Sequence, residues 1–396
     1  MTPLRLRRLL RAPLVLAVLF FVAVFAWQLA RRPAAEPAAR LSPIAALGEQ
    51  ADPAFERALA PRDFDFPRDH GPHPTFQTEW WYFTGHLAND AGRRFGFELT
   101  FFRRALAPDA PGGDSAWAAR DVYMAHFALT DEARGLFVAS ERFERAALDL
   151  AGSRAEPWSV WVGPWSAESL GADFLPLALR AATARAGLAL ELAPSERIVP
   201  NGERGLSRKG SAAGNASYYY SLPRIAARGT LSLDGETHAV RGEAWLDREW
   251  STSALEADVV GWDWFALTLD DGRELMLYRL RRADGTGAPA SAGTWVLRDG
   301  TRRELALADF ELETLATWRS PHTGAEYPSR WRVRVPSIGV DVEVRPWLAD
   351  QELALAFPYW EGACDVLANG ERVGRAYVEL VGYAPVASDS ASRAAR

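Results

Sequence analysis

Short runs of alternating apolar and polar residues, separated by turn residues, fill the chain from about residue 78 onward. Alternation with a period of two is typical of β-strands. The clearest predicted strands are Phe95–Phe102, Tyr123–Thr130, Thr230–Leu233, Asp263–Leu269, Glu274–Leu280, Trp331–Val335 and Val373–Leu380. One segment, Glu304–Thr317, has a composition that also suits a helix.

Tight-turn signals separate these strands, since the chain contains six Asn-Gly or Asp-Gly pairs. Many short strands favour barrels or sandwiches, because closure removes exposed sheet edges. A β-rich body of about 330 residues is large for one barrel. We therefore expect an all-β fold of two consecutive antiparallel β-barrels, over residues 62–225 and 226–385.

The N-terminus carries an apolar run, Ala12–Trp27, with arginines on both sides and no acidic residue before Glu36. This charge pattern is typical of an export segment. We expect residues 1–31 to be either an anchor that crosses the inner membrane through residues 12–30 or a cleaved signal peptide. Both alternatives place the body in the periplasm, after a tether over residues 32–61 and before a flexible tail over residues 386–396.

Composition excludes several classes of protein. The formal net charge of −6 argues against a nucleic-acid partner. A single cysteine, Cys364, excludes an internal disulfide framework and a cysteine-based zinc site. The sequence has no glycine-rich phosphate loop, serine-nucleophile elbow or His-Glu-x-x-His motif, which argues against hydrolysis by a standard serine triad or zinc helix. We expect no metal.

An aromatic strand is predicted around Trp80-Trp81-Tyr82-Phe83. Alternation puts Trp80 and Tyr82 on one face and Trp81 and Phe83 on the other. Such a strand suits a barrel wall beside a partner domain, and one face either packs in a core or lines a ligand cavity. The nearby His70 and His73 lie among Gly and Pro, which favours local hydrogen bonds over metal ligation.

A second segment, residues 245–250, combines carboxylates with tryptophans. In an extended strand, Trp245, Asp247 and Glu249 share a face. Burial against aromatic rings raises the pKa of a carboxyl and suits it to act as a general acid. The alternative is a structural ion pair of one carboxylate with Arg248 or Arg241.

Two further candidates are Trp262, which shares a strand face with Trp264, and Lys209. Packing in a core is the alternative role for the tryptophans. Lys209 is the one lysine in a chain that otherwise uses arginine. A lysine provides a compact charge and can lose its proton, whereas an arginine cannot.

These segments resemble those of the AttH-like and carotenoid 1,2-hydratase-like proteins, which are also called predicted secreted hydrolases. The resemblance covers about residues 62–385. Its segments are Phe66–His73, Thr78–Tyr82, His126–Thr130, Tyr219–Ser221, Gly242–Trp250, Gly261–Phe265, Tyr359–Gly362 and Tyr377–Leu380. It implies two consecutive lipocalin-like barrels with a ligand cavity in or between them, which agrees with the strand pattern.

The resemblance also implies site residues. By analogy with the hydratases, Asp247 would protonate a C=C bond without a cofactor, and Trp245, Tyr220 and Trp262 would stabilise the carbocation. This chain has Trp245 where those hydratases have tyrosine. We take Asp247, Glu249 and Trp245 as candidate catalytic residues. The candidate ligand-binding residues are Glu79, Trp80, Tyr82, His126, Tyr219, Tyr220, Trp262 and Lys209.

Two functions follow. The first is an envelope-located lipocalin-like protein that binds an apolar lipid-like or isoprenoid-like molecule and, as the AttH-like resemblance implies, works with an ABC export system. The alternative is a hydratase-like or hydrolase-like enzyme that uses Asp247 as its general acid. Both functions need the same cavity, so the sequence leaves them open.

Overall fold

The computed structural model describes residues 52–109, 115, 117–195, 197–253 and 255–384. Regular structure in these ranges is β-strand, apart from three short 3-10 helices at Arg68–His70, Leu307–Asp309 and Pro336–Ile338. The predicted export segment, the tether up to residue 51 and the tail lie outside the described residues. In the part of the chain that is described, no helix is long and apolar enough to cross a membrane.

The first sheet has thirteen strands. They are β1 (Thr78–Ala88), β2 (Arg94–Ala105), β3 (Asp121–Asp131), β4 (Leu136–Arg145), β5 (Ala151–Ala155), β6 (Trp158–Val162), β7 (Trp165–Ser169), β8 (Leu177–Ala182), β9 (Ala186–Leu192), β10 (Val199–Pro200), β11 (Leu206–Arg208), β12 (Ala216–Leu233) and β13 (Glu236–Ser251). Their order is β4-β3-β2-β1-β13-β12-β9-β8-β7-β6-β5, with β10 and β11 also paired to β12. The sheet curls until β3 and β4 approach β5 and β6, which makes a nearly closed barrel.

The second sheet has ten strands. They are β14 (Val259–Leu269), β15 (Glu274–Arg282), β16 (Ala292–Val296), β17 (Arg302–Ala306), β18 (Glu311–Arg319), β19 (Glu326–Val335), β20 (Val340–Pro346), β21 (Glu352–Leu353), β22 (Tyr359–Ala368) and β23 (Glu371–Val381). Their order is β17-β16-β15-β14-β23-β22-β20-β19-β18, with β21 paired to β22, and they form a half-barrel. The predicted all-β fold of two lipocalin-like units is confirmed.

The helix suggested by the composition of Glu304–Thr317 is wrong. This segment contains the end of β17, one 3-10 turn and most of β18. Leu305 and Phe310 are buried in the core of the second sheet. Cross-strand pairing with β16 and β19 therefore overrides a composition that also suits a helix.

The predicted boundary between residues 225 and 226 falls inside β12. Strands β12 and β13 form one long hairpin, which turns at Asp234 and Gly235, both with positive φ. The whole hairpin belongs to the first sheet, so the chain passes to the second sheet between Ser251 and Val259.

Strand β1 and the second half of β13, residues 244–251, are buried on both faces. Trp81 and Phe83 of β1 pack in the core of the first barrel, as do Leu246 and Trp250 of β13. The alternate residues of both strands pack against the second sheet, in a cluster that includes Tyr82, Trp245, Trp264 and Tyr377. The predicted division of faces in both segments is confirmed.

The two sheets make close backbone contact at Gly96 of β2. A Cβ atom built at this glycine would lie 2.7 Å from the Cβ of Ala363 in β22. Nearby, the Thr130 hydroxyl donates to Oε1 of Gln351 across the same interface at 2.8 Å. Because these contacts involve small or fixed groups, they set how closely the sheets approach each other.

The barrel-side face of β1 carries a buried ionic cluster. Arg103 Nε lies 2.5 Å from Oε1 of Glu79, and Arg248 Nη2 lies 2.5 Å from Oε2. The backbone N–H of His73 also donates to this carboxylate, at 3.0 Å from Oε2. The His73 ring stacks on Trp250 with centroids 3.7 Å apart. This loop histidine therefore supports the fold through local contacts.

We predict that Glu79→Gln lowers the free energy of unfolding by about 3–5 kcal/mol, because Arg248 loses its carboxylate partner inside the protein while Arg103 keeps Asp121 alone. Urea denaturation monitored by tryptophan fluorescence measures the change. Glu191→Gln, at an exposed pair with Arg228, is the matched control and should change stability by less than about 1 kcal/mol. Equal stabilities for the two variants would contradict the structural role of Glu79.

Candidate active site

A cavity of about 140 Å³ lies between the two sheets. We call it the inter-sheet cavity. It is lined by Thr78, Trp80, Tyr82, Phe102, Lys209, Tyr219, Asp247, Glu249, Ser251, Ser253, Leu255, Trp262, Trp264, Tyr278, Leu280, Tyr359, Glu361 and Glu379. The lining residues that are partly exposed mark its mouth, namely Trp80, Phe102, Lys209, Ser253, Leu255, Trp262 and Glu379.

Asp247 lies in the wall that the first sheet contributes. Its Oδ1 accepts hydrogen bonds from Ser221 Oγ at 2.5 Å and Trp245 Nε1 at 2.6 Å, and its Oδ2 accepts one from the Tyr219 hydroxyl. Burial raises the pKa of Asp247 to about 7, although these three donors act in the opposite direction. The carboxyl therefore exchanges its proton near neutral pH, as a general acid must.

The Tyr219 hydroxyl is held from its other side. Trp264 Nε1 of the second sheet donates to it at 3.1 Å. The Ser221 hydroxyl likewise accepts from Asn201 Nδ2 at 2.8 Å. Each hydroxyl that accepts from a fixed N–H is oriented to donate to Asp247, so the carboxyl is positioned by both sheets.

Glu249 lies two residues further along the same strand face and is paired with Lys209. Lys209 Nζ lies 3.0 Å from Oε1 of Glu249, and the Ser217 hydroxyl donates to the same oxygen. Burial alone would lower the pKa of Lys209, but Glu249, with Tyr278 and Asp247, raises it above its ordinary value. Lys209 therefore carries an ammonium group beside Glu249. Together with Asp247 these two residues form what we call the first pole of the cavity.

The second sheet contributes two more carboxyl groups, Glu361 and Glu379, which form the second pole. The Tyr82 hydroxyl donates to Oε1 of Glu361, and Trp262 Nε1 donates to Oε1 of Glu379 at 3.1 Å. Burial and then the neighbouring Glu98 and Glu379 raise the pKa of Glu361 well above its ordinary value. Burial also raises the pKa of Glu379 to about 8. The second pole is therefore largely protonated at neutral pH.

The comparisons with known proteins identify the family. The model of the AttH-like family matches residues 57–383. The chain belongs to the AttH-like family. No curated protein matches it significantly.

Two solved structures are similar to this AttH-like chain. The crystal structure of an AttH protein from Nitrosomonas europaea is 34% identical, covers 82% of this chain and 100% of its own, and has a TM-score of 0.72. Kievitone hydratase from Nectria haematococca is 16% identical, covers 84% of this chain and 97% of its own, and has a TM-score of 0.64. The second comparison concerns the fold alone.

Most of the site residues predicted from the sequence converge in the AttH-like cavity. Those that line it are Trp80, Tyr82, Lys209, Tyr219, Asp247, Glu249 and Trp262. The alternative ion pair of Asp247 or Glu249 with Arg248 or Arg241 does not form. Arg248 pairs with Glu79 on the other face of the strand, and Arg241 pairs with Asp90.

Three predicted ligand-binding residues lie elsewhere. Strand alternation turns Glu79 and Tyr220 towards the first barrel, where Glu79 joins the arginine cluster and Tyr220 Oη lies 2.6 Å from His70 Nδ1. His126 lies behind the cavity wall, with its Nδ1 2.8 Å from the hydroxyl of Tyr359.

Trp245, predicted to be catalytic, is buried beside the cavity and does not line it. Its N–H donates to Asp247. It therefore positions the acid, whereas its ring is not available to contact a substrate in the cavity.

The sequence analysis missed the second pole and several rings around it, namely Glu361, Glu379, Trp264, Tyr278 and Tyr359. The sequence does contain a signal for them. Tyr359 and Glu361 are two residues apart and therefore share one face of their strand, as do Tyr377 and Glu379. That spacing repeats the arrangement of Trp245 and Asp247, but it does not indicate which strands meet.

We predict that the free energy of unfolding decreases as pH rises from about 7 to about 8. Burial raises the pKa values of Glu98 and Glu379 in the folded protein to about 8, whereas an ordinary glutamate ionises near pH 4.5. The folded state therefore binds more protons at these two groups, and raising the pH favours unfolding. Below about pH 6.5 the buried His70, His86 and His126 act in the opposite direction, because burial lowers their pKa values to about 3.

Urea denaturation across this pH range measures the dependence. Glu98→Gln and Glu379→Gln should each flatten it and should be more stable than the wild type at pH 8. Glu203→Gln, which alters an exposed carboxyl, is the control and should keep the wild-type slope. A wild-type slope in both buried variants would show that these carboxyls ionise normally.

Proposed function

We propose that this AttH-like protein is a cofactor-independent hydratase that adds water to a C=C bond of an apolar, isoprenoid-like substrate. The observation that carries the proposal is Asp247, a buried carboxyl with a pKa of about 7 that lines an aromatic cavity and is held by three hydrogen-bond donors. The fold neighbour from Nectria haematococca is named as a hydratase, which is consistent with this reaction class.

In the first step the proton of Asp247 passes to one carbon of the double bond. The π electrons form the new C–H bond, which leaves a carbocation on the other carbon and a carboxylate on Asp247. Oδ2 accepts one hydrogen bond whereas Oδ1 accepts two, so Oδ2 is the oxygen better placed to carry the proton. The π faces of the lining rings Trp264 and Trp262 stabilise the positive charge.

In the second step a water oxygen forms the C–O bond with its lone pair and loses one proton to Glu249. Lys209 Nζ lies 3.0 Å from Oε1 of Glu249 and so holds this proton acceptor in place. Transfer of a proton from Glu249 back to Asp247 restores both groups. The net reaction consumes one water molecule and needs no oxidant or reductant.

A carrier function for an apolar molecule is the second candidate. The observation that favours it is the mouth of the cavity, where the partly exposed side chains of Trp80, Phe102, Leu255 and Trp262 offer apolar surface. The periplasmic location, the inner-membrane anchor and an ABC export partner stay predictions.

We predict that Asp247→Asn abolishes water addition. The full-length protein is incubated with an extract of envelope lipids in water enriched in oxygen-18, and new labelled alcohols are sought by mass spectrometry. The wild type should produce them and the variant should not, since an amide cannot supply the proton. Asp365→Asn, at a partly buried carboxyl outside the cavity, is the matched control.

Absence of label in the wild-type products, together with recovery of an unchanged bound lipid, would favour the carrier. Equal labelling with Asp247→Asn and the wild type would refute the role of Asp247 as the acid.

The rate should fall as pH rises through about 7, because deprotonated Asp247 cannot act as the acid. Tyr219→Phe removes a donor that stabilises the carboxylate, so it should move this descending limb upward by about one pH unit. The pH profile of labelled product formation measures the shift. A merely structural Tyr219 would reduce the rate without moving the limb.

A further inference from the structure

The inter-sheet cavity combines aromatic surfaces with an excess of acidic groups. Eight aromatic residues line it: Trp80, Tyr82, Phe102, Tyr219, Trp262, Trp264, Tyr278 and Tyr359. Four carboxyl groups line it as well, and Lys209 is the one basic side chain among the described lining residues. Aromatic faces with nearby carboxylates are the usual elements of a site for organic cations.

The first pole shows how this cavity accommodates an ammonium group. Lys209 Nζ pairs with Glu249 at 3.0 Å and lies 4.2 Å from the ring centroid of Tyr278 and 5.4 Å from that of Tyr219. One carboxylate and two aromatic faces therefore hold the charge. Lys209 thus provides, as part of the protein, the ammonium group that a bound amine would provide as a ligand.

The second pole has the same elements without a cation. Across the ranges that the structure describes, no Lys, Arg or His forms an ion pair with Glu361 or Glu379. Glu361 is 1% exposed, and its Oε2 takes part in no hydrogen bond of standard geometry, although the neighbouring Tyr359 hydroxyl acts to lower its pKa. Tyr82, Trp262 and Tyr359 line the cavity beside these carboxyls.

We propose that the second pole of the cavity, Glu361 and Glu379, binds the ammonium group of an apolar amine. Its N–H would donate to Oε2 of Glu361, and its apolar part would occupy the aromatic space between the poles. The volume suits a group of about the size of a benzene ring. This binding does not depend on the proposed hydration reaction.

Amine binding should release protons. The pKa of Glu361 is raised well above its ordinary value by burial and then by Glu98 and Glu379, and burial raises that of Glu379 to about 8. A cation placed beside these carboxyls favours their ionised form, so an ammonium ion entering at pH 7 should displace a proton into the buffer.

The experiment compares benzylamine, which is an ammonium ion at pH 7, with benzyl alcohol, its neutral analogue of similar shape. Isothermal titration calorimetry of the full-length protein gives both affinities, and two buffers with different heats of ionisation give the number of protons released. We expect benzylamine to bind at least about tenfold more tightly than benzyl alcohol and to release protons.

Glu361→Gln and Glu379→Gln should each weaken benzylamine binding while benzyl alcohol binds as before. Unchanged alcohol affinity also shows that these variants keep their fold. Glu313→Gln, at an exposed carboxyl on β18, is the matched control and should bind as the wild type does.

Equal affinities for the two probes, or no binding of either, would overturn the proposal. It would also be overturned if Glu249→Gln abolished benzylamine binding while both second-pole variants retained it, because the amine would then replace Lys209. The experiment measures binding alone, so its result does not depend on whether the protein catalyses hydration. Likewise, a failure of amine binding would not contradict the proposed hydration reaction.

Discussion

Burial of β1 and of the second half of β13 on both faces is the constraint on which the rest of the structure depends. A strand in an isolated barrel presents one face to a core and the other to water, but here the outer face meets a second sheet. Each polar side chain that is buried on these strands must therefore form a hydrogen bond or an ion pair inside the protein. A carboxyl group can instead remain protonated, which removes its charge. The barrel side and the cavity side of these strands satisfy this requirement in different ways, and the chemistry of the cavity follows from the difference.

On the barrel side the charges are balanced within one cluster. Glu79 contacts two arginines, so its carboxylate is stable and inert. On the cavity side the charges are not fully balanced. Lys209 forms an ion pair with Glu249, whereas Asp247 accepts hydrogen bonds from neutral donors only. The same strand pair thus holds a carboxylate that cannot easily gain a proton and a carboxyl that exchanges one near neutrality. Placement relative to the sheet decides which role a carboxyl takes.

Much of this arrangement could be predicted from the sequence. Period-two alternation placed Trp80 and Tyr82 opposite Trp81, and Asp247 opposite Arg248, because that geometry is local. Two of the errors, at Glu79 and Tyr220, arose where motif membership was used in place of alternation. Glu79 and Tyr220 belong to the same segments as true lining residues, but their side chains point into the first barrel.

The second pole could not be predicted in this way. Glu361 and Glu379 are more than one hundred residues from Asp247 in the chain, and their approach depends on which outer faces of the two sheets pack together. The helical composition of Glu304–Thr317 failed for a related reason, since pairing with neighbouring strands outweighs local preference.

The close approach of Gly96 and Ala363 makes the width of the cavity independent of its reactivity. The spacing of the sheets is fixed by backbone and methyl groups that do not line the cavity, whereas its acids and rings come from other positions. Within the family, the width of the chamber and its reactivity can therefore diverge independently. A relative could keep every acidic group and still accept a larger molecule through a change at the Gly96–Ala363 contact alone.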